Sequence, residues 1–332
     1  MKTKETMNLQ GIVRISTIFV GEKIMNDRRL EYLSLIKSLR KSDLHSHAGR
    51  GGNKKFIEEF YGVKIENPPE RFLSLKNMQE WYAANIRDIT CDKIGVIKRW
   101  EAAFRQANED NIAILVLSFG MDENAVVGGM KPFVELLNDM SKKYAPNTIF
   151  LPELTFLRGC DMDKAVEGLD EILEFDFYKS IDICGDEFAA PIEDFVPLYR
   201  KAEANGLKLK AHVGEFGTAD DVMRAVETLH LSEVHHGIAA ADSPMIMKWL
   251  ADNKIRLNVC PTSNVMLGLT PSYKTHPVKK LFHAGIPVTI NTDDMLIFNQ
   301  SVSEEYVNLL CAGTLNIDEI EKIRLTGLGE IL

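Results

Sequence analysis

The chain has 332 residues, with 39 basic and 48 acidic side chains and a formal net charge of −9. That charge argues against a nucleic-acid-binding surface, because no long basic cluster offsets it locally. Its five cysteines are scattered and never form a C-x-x-C pair, which argues against a disulfide framework or a zinc ribbon and is typical of a cytoplasmic protein.

The first apolar segment, residues 11–25 (GIVRISTIFVGEKIM), contains Arg14 and Glu22. These charges leave no long apolar core, so the segment predicts a strand or hairpin rather than a signal peptide or a membrane span. We therefore expect neither a membrane nor a nucleic acid as partner.

Short apolar runs rich in β-branched residues alternate with helical stretches along the rest of the chain, which predicts a parallel sheet with helical crossovers. Eight such runs follow one another, the number that closes a (β/α)8 TIM barrel, and such barrels commonly run to ~250 residues or more as one unit. We predict an α/β fold with a single barrel domain over 1–332, and an open doubly wound sheet is the alternative. In order the runs are KSDLHSH, IAILVLSFG, NTIFLPELTFL, SIDICGDE, LKLKAHVGE, EVHHGI, IRLNVCPTSN and IPVTINTDD.

Residues 53–90, between the first two runs, are too long for a tight strand-to-helix turn. They predict a helical cap over the barrel mouth, which could act as a lid. Helix signals continue beyond it: residues 91–110 carry apolar residues at helical spacing, and Thr218 stands three residues before Asp221 in a capping-box pattern.

Unusual polar residues stand at the carboxyl ends of the predicted strands, the end that builds the active site of a barrel. Alternation places His45 and His47 on the same inward face, and His212 and Asp293 end the fifth and eighth strands. Three histidines and one aspartate form a suitable ligand set for zinc, leaving a position for water. The same ligand set would also suit iron or another divalent ion, so the identity of the metal is left open.

The ordered motifs DLHSH, GDE (185–187), AHVGE, HHGIAA, CPTSN and INTDD resemble those of the adenosine deaminase family, a branch of the amidohydrolase (β/α)8 barrels. The similarity covers most of the chain, from about residue 44 to beyond Asp294. It implies hydrolytic deamination of a 6-aminopurine nucleoside or nucleotide, with one zinc ion per chain on His45, His47, His212 and Asp293. Zinc in such a site lowers the pKa of bound water to about 7.

The resemblance also implies roles for four further residues. Glu215 matches the family's proton donor to the purine ring nitrogen, and His236 matches the histidine that orients and deprotonates the attacking water. Asp294 matches a residue that hydrogen-bonds the purine or anchors the water, and Gly185 matches a position whose backbone N–H meets the base. By strand alternation, His235 should point away from the site and have a structural role.

The run after the second histidine departs from the family pattern. The family usually carries an aspartate at the position of Gly49, where it contacts the sugar hydroxyl. Here glycine amides, Arg50 and the nearby Lys54 and Lys55 predict a phosphate site, so that the substrate is an adenine nucleotide or another 5′-modified adenosine. The alternative is a solvated basic turn beside the site.

Lys208 and Lys210 are a second departure, because lysines inside a barrel require a partner such as Glu153 or Asp182. Two alternative functions remain: an adenine or modified-adenine deaminase on the same scaffold, and a non-catalytic barrel used for ligand sensing or assembly. The complete set of ligands and catalytic residues favours an enzyme. Oligomerisation is possible and left open.

Overall fold

Strands and helices alternate along residues 22–329, the part of the chain that the computed structural model describes. Parallel pairing joins each strand to the next one along the chain, so the order in the sheet is the order in the sequence. The strands are β1 (Lys41–Asp43), β2 (Ile112–Gly120), β3 (Ile149–Leu157), β4 (Ser180–Cys184), β5 (Lys208–Val213), β6 (Glu233–His236), β7 (Arg256–Val259) and β8 (Val288–Ile290).

Helices connect the strands and surround the sheet. A π-helical turn, Ala83–Arg87, extends the third helix, and short 3-10 turns precede or follow several others. The α-helices are α1 (Glu22–Ser38), α2 (Lys54–Tyr61), α3 (Leu75–Tyr82), α4 (Lys93–Glu109), α5 (Met130–Tyr144), α6 (Met162–Leu173), α7 (Val196–Ala204), α8 (Ala219–Leu229), α9 (Pro244–Asp252), α10 (Pro261–Met266), α11 (Val278–His283), α12 (Met295–Phe298), α13 (Val302–Cys311) and α14 (Ile317–Leu328).

The sheet curls until the segments after β1 and β8 meet. Ser46 forms a parallel bridge with Asp293, and the backbone N–H of Asp293 donates to the carbonyl of His45 at 3.0 Å. At the strands themselves, Asp43 accepts hydrogen bonds from the backbone and hydroxyl of Thr292. The (β/α)8 barrel is confirmed, and the open doubly wound alternative is wrong, since its strand order would reverse at a switch point.

Local signals explain several of these elements. β2 is buried along nearly its whole length because helices cover one face and the barrel interior the other. The Thr218–Asp221 capping box forms as predicted, and Asp92 caps the amino end of α4 by accepting from Gly95 N–H at 2.7 Å. The main apolar core fills the layer between strands and surrounding helices.

The predicted cap after β1 is confirmed as helical. α2, α3 and the π-helical turn bury an apolar cluster against the segments that follow β7 and β8. This contact fastens the cap across the carboxyl ends of the strands, where the polar residues lie. Members of the cluster from the cap are Phe56, Ile57, Ile65, Phe72, Met78, Tyr82 and Ile86, and from the barrel Ala102, Met266, Leu267, Leu296, Ile297 and Phe298.

The predicted N-terminal strand or hairpin at 11–25 lies largely outside the described residues. From Glu22 onward the chain is helical instead, in a stretch without glycine or proline that is rich in good helix formers. None of the helices within the described residues is long and apolar enough to cross a membrane. All five cysteines are free.

Candidate active site

The four residues predicted to bind metal converge at the carboxyl ends of the strands. Nε2 of His45 lies 3.6 Å from Oδ1 of Asp293, and Nε2 of His47 lies 3.5 Å from the same oxygen. The imidazole centroid of His212 lies 4.6 Å from that of His45 and 5.3 Å from that of His47. Three strands therefore bring the three histidines and the aspartate to one point.

His236 lies at the same point. Its Nε2 is 3.9 Å from Oδ2 of Asp293, and one ligand atom from each of His45, His212, His236 and Asp293 falls within 4.8 Å of the others. This grouping contains His236 in place of His47, which forms a second grouping with Asp293 and Asp294. The neighbourhood thus offers more donors than the predicted set of four.

Unsatisfied nitrogens on His45 show that these residues fit a cation. Both of its ring nitrogens are buried, and neither has a hydrogen-bond partner among the described residues. Leaving a buried polar atom unpaired costs roughly 1 to 3 kcal/mol, which a bound ion would recover. Ligand atoms around one zinc at ~2.1 Å lie about 3.4 Å apart in a tetrahedron, close to the observed separations from Asp293.

The other three histidines each hold Nδ1 on a partner. For His47 and His212 the partner is an oxygen that can accept the Nδ1 proton, which leaves Nε2 available for a cation, whereas Nδ1 of His236 accepts from an amide. Such partners fix the tautomer and orientation of metal-binding histidines. The contacts are His47 with Ser118 Oγ at 2.9 Å, His212 with Asp182 Oδ1 at 3.0 Å and His236 with Asn264 Nδ2 at 3.3 Å. Sequence reasoning missed all three partners, although Asn264 belongs to the CPTSN motif.

Burial dominates the electrostatics of this cluster. It lowers the pKa of His45 and His236 well below the usual range and that of His47 to about 4. His212 is the exception: burial lowers its pKa, but Asp182 more than offsets this and the pKa rises to about 9. Burial, helped by Asp294, raises the pKa of Asp293 to about 7. A cation would reverse the preference of Asp293 and favour its carboxylate.

Glu215 lies beside the cluster, with Oε1 3.7 Å from Nδ1 of His236. Burial, reinforced by Asp293, raises the pKa of its carboxyl well above the usual range. Glu187 holds the loop that carries it, since its carboxylate accepts the backbone N–H groups of Gly214, Phe216 and Gly217 at 2.5 to 2.9 Å. The glutamate of the GDE motif therefore positions the candidate proton donor.

The predicted outward direction of His235 is wrong. Its ring is fully buried inside the barrel, stacks on His45 with centroids 3.9 Å apart and places Nε2 3.1 Å from Oε1 of Glu153. Strand alternation fails here because His236 has a left-handed φ of +63°. Both neighbours consequently face the interior, and His235 supports His45 from below.

A cavity of about 330 Å³ opens over the cluster between the barrel and the cap. The predicted substrate-binding residues Gly185, Asp294 and Arg50 all line it, together with Glu215 and His236. Gly185 has a left-handed φ of +96°, which favours glycine at this wall. Leu75, Met78, Gln79 and Tyr82 come from the cap.

Two lysines that were predicted to assist Arg50 have other partners. Lys54 donates to the carbonyl of Ile65 and to Asn67 within the cap, and Lys55 pairs with Glu109. Neither residue lines the cavity. The sequence pattern could not reveal this, because α2 begins at Lys54 and turns both side chains away from the loop.

The predicted pairing of an inward lysine with Glu153 is confirmed for Lys210. Its Nζ lies 2.8 Å from Glu153 and 3.8 Å from Glu233, and its side chain is 3% exposed. Lys208, one step further from the site, is half exposed and lies 3.9 Å from Glu233. The lysines thus belong to a charged layer beneath the candidate metal cluster.

Fold and site together define the class: an amidohydrolase-type (β/α)8 barrel with a His/Asp cluster at the carboxyl ends of its strands. The family model for adenosine deaminase matches residues 160–328. A Treponema pallidum protein named as a putative adenosine/adenine deaminase is 30% identical over 292 residues, covering 86% of this chain and 96% of the relative. The chain belongs to the adenosine deaminase family, and is thus a hydrolase acting on C–N bonds.

Solved structures share the fold at lower identity. An amidohydrolase from Burkholderia ambifaria with bound Zn has a TM-score of 0.72 and 21% identity, covering 90% of this chain and 86% of the other. Arabidopsis ADAL complexed with IMP has a TM-score of 0.74 and 19% identity, covering 89% and 93%. These similarities confirm the barrel fold. The zinc and the IMP were bound in those two structures and are properties of those proteins.

Proposed function

We propose that this protein hydrolyses the exocyclic amine of an adenosine-type 6-aminopurine, nucleoside or nucleotide, to the 6-oxo compound and ammonia. One zinc ion per chain would be held by His45, His47, His212 and Asp293. The observation that carries the proposal is the convergence of His47, His212, Asp293 and Glu215 on one cavity. His45 lies buried beside them, and neither of its ring nitrogens has a hydrogen-bond partner among the described residues.

The reaction adds one water and releases one ammonia: a C–O bond forms at C6 and the C–N bond to the amine breaks. When bound, the metal makes hydroxide available at neutral pH. His236, neutral in its buried position, would accept a proton from the attacking water and pass it to the departing amine, which leaves as ammonia. Glu215, buried beside it, donates a proton to the ring nitrogen next to C6, which makes that carbon more electrophilic.

Recognition of the base falls to groups on the cavity wall. The backbone N–H of Gly185 is proposed to meet the base, and Asp294 to accept a hydrogen bond from the purine or to anchor the water. The cap at 53–90 is proposed to exclude bulk water as a lid. The whole chain, 1–332, would act as one catalytic domain.

Adenine deamination on the same site is the second candidate. It is favoured by the Treponema pallidum relative, whose name includes both adenosine and adenine deaminase. A cavity of about 330 Å³ lies at the small end of the ~300–1,000 Å³ range of ligand pockets, which suits a compact purine. Substrate comparison separates the two candidates.

The test is ammonia release and the ultraviolet change on deamination across adenine, adenosine, AMP and ATP, with and without a chelator. Turnover of adenosine or a nucleotide that is lost on chelation and restored by zinc supports the proposal. Turnover of adenine alone selects the second candidate. No turnover of any member by the zinc-loaded protein overturns both and leaves the non-catalytic barrel.

A further inference from the structure

Two arginines line the cavity, and one of them already has a counter-ion. Nη1 of Arg50 lies 2.8 Å from Oδ2 of Asp294, and Nη2 donates to Gln79 Oε1 at 2.9 Å. The guanidinium also lies 4.3 Å from the ring centroid of Tyr82. The protein thus contacts both terminal nitrogens and one face of the Arg50 guanidinium, which leaves few of its N–H groups for an anion.

Arg99, on α4, is the other cavity-lining arginine, and it has no counter-ion. Nη1 donates to the carbonyl of Gly49 at 3.0 Å and to the hydroxyl of Tyr82. Nε is buried without a partner, and Nη2 has none among the described residues. No carboxylate oxygen among those residues lies within 4.0 Å of this guanidinium. One edge of the guanidinium is therefore unused in a residue that lines the cavity.

Gly49, beside Arg99, offers it no carboxylate. A Cβ on Gly49 would stand 3.0 Å from Nη1 of Arg99, so a carboxylate at this position would meet the guanidinium directly. Gly51 and Gly52 have steric reasons to be glycine, because a Cβ there would come within 2.5 Å of Ser46 or Ala102. Gly49 touches only the end of a flexible side chain and has no left-handed φ.

The neighbouring acid, Glu123, interacts with Arg99 electrostatically but forms no ion pair with it. Glu123 lines the same cavity, but its two oxygens accept Trp100 Nε1–H at 2.9 Å and Gly120 N–H at 3.2 Å. Asp294 is engaged by Arg50. A ligand entering the cavity therefore meets one guanidinium that no carboxylate of the described residues pairs with within 4.0 Å.

We propose that Arg99, left unpaired by Gly49, binds the 5′-phosphate of the substrate, which makes the preferred substrate a purine nucleoside monophosphate. This inference rests on the proposed function and names its substrate class. Nε–H and Nη2–H form a fork that matches two phosphate oxygens. Arg99 thus takes the role that the sequence pattern assigned to Arg50, and the small cavity favours a monophosphate over a triphosphate.

Two variants test the subsite from opposite directions. Arg99→Gln removes the cation, and Gly49→Asp supplies a carboxylate against it. The readout is the ratio of kcat/KM for AMP to that for adenosine. We expect wild type to favour AMP, and each variant to lower the ratio roughly 10- to 100-fold, the value of a charged hydrogen-bonded contact. Arg105→Gln, on the same helix but paired outside the cavity with Glu59 and Glu101, is the control and should keep the ratio.

A purely structural role for Arg99 predicts a different pattern. Its bonds to Gly49 and Tyr82 join the loop after β1 to the cap, so loosening them would lower activity on both substrates equally. Equal losses in Arg99→Gln, together with an unchanged ratio in Gly49→Asp, overturn the inference. A wild-type preference for adenosine or adenine over AMP also overturns it, while the proposed deamination stands.

Binding measurements keep the subsite testable if no purine is deaminated. Calorimetry would compare the affinities of IMP and inosine for wild type and for Arg99→Gln. Tighter binding of IMP by wild type alone supports the subsite even though the proposed function has failed. Equal affinities for the two ligands overturn the subsite as well.

Discussion

Nδ1 of His212 lies 3.0 Å from the carboxylate of Asp182, and Oγ1 of Thr155 donates to that carboxylate at 2.9 Å. The aspartate is fully buried and stands on β4, next to the strand that carries His212. It therefore fixes the ring so that Nε2 faces the candidate cation. A buried carboxylate in this position holds the imidazole in one tautomer.

Replacing that carboxylate by an amide, Asp182→Asn, should weaken metal binding roughly 10- to 100-fold. The amide is uncharged and can present either an N–H or an oxygen to Nδ1, so the ring is no longer held in one tautomer. Competition with a chromophoric chelator measures the affinity. Asp252→Asn, on the exposed face of α9, should match wild type. An unchanged affinity in Asp182→Asn would contradict this role.

Glu215→Gln should keep the metal and lose deamination by about 100-fold or more, because a neutral amide cannot transfer a proton to the ring nitrogen. His212→Ala should lose both metal and activity, since it deletes a proposed ligand. Metal content by atomic spectroscopy and ammonia release separate the two outcomes. A metal-free Glu215→Gln would show that the glutamate is a ligand.

Glu187→Gln should lower kcat by roughly 10- to 100-fold with metal content unchanged. The carboxylate accepts three backbone N–H groups around Glu215, and an amide can accept at one oxygen only. The proton donor would then lose its fixed position, which is costly even over ~1 Å. Asp186→Asn is the adjacent control, since that exposed carboxylate caps only Phe188 N–H. Equal losses in both variants would refute a positioning role for Glu187.

Lys210→Met should destabilise the fold by about 3 to 5 kcal/mol, because it leaves Glu153 and Glu233 buried without their shared cation. Urea unfolding followed by circular dichroism measures the free energy of unfolding. Lys164→Met, whose ion pair with Asp161 is exposed, should cost less than about 1 kcal/mol. A similar loss of unfolding free energy in both variants would mean that the buried ion pairs of the charged layer add no more stability than an exposed pair.

Glu305 predicts a pH dependence of stability away from the site. It is fully buried, accepts Thr262 N–H at 3.2 Å and has its carboxyl pKa raised to about 8 by burial. Because this pKa is higher in the folded than in the unfolded state, folding takes up a proton between the two values. The resulting stability is lost as pH rises through about 8.

Glu305→Gln, neutral at every pH, should therefore gain stability relative to wild type between about pH 5 and about pH 9, by more than about 1 kcal/mol. Urea unfolding at several pH values gives the difference. Glu227→Gln, an exposed change on α8, should follow the wild-type curve. A pH-independent difference between Glu305→Gln and wild type would show that the carboxyl stays ionised.

Sequence patterns predicted the barrel. They also predicted that His45, His47, His212 and Asp293 lie together, because residues that end parallel strands share one edge of a sheet. They failed for His235, since period-two alternation assumes a regular backbone and His236 has a left-handed φ. Nothing local to the sequence marks such a residue.

The sequence alone also did not predict contacts between segments that are distant along the chain. Glu187 stood in the GDE motif and Asp182 in the fourth predicted strand, yet their partners depend on how β5 and its loop lie beside β4. Arg99 lies on a helix rather than at a strand end, so only the packing of α4 on the loop after β1 places it at the cavity.

The meeting of the β1 and β8 segments at Ser46 and Asp293 also bears on how the protein acquires its site. During synthesis the first two histidines leave the ribosome long before the last strand exists, so Asp293, the last of the proposed ligands, cannot join them until that strand has been made. Closing the barrel and assembling the site are therefore one event. A chain that stops before β8 would keep the three histidines but lack Asp293 and the bridge that joins it to Ser46.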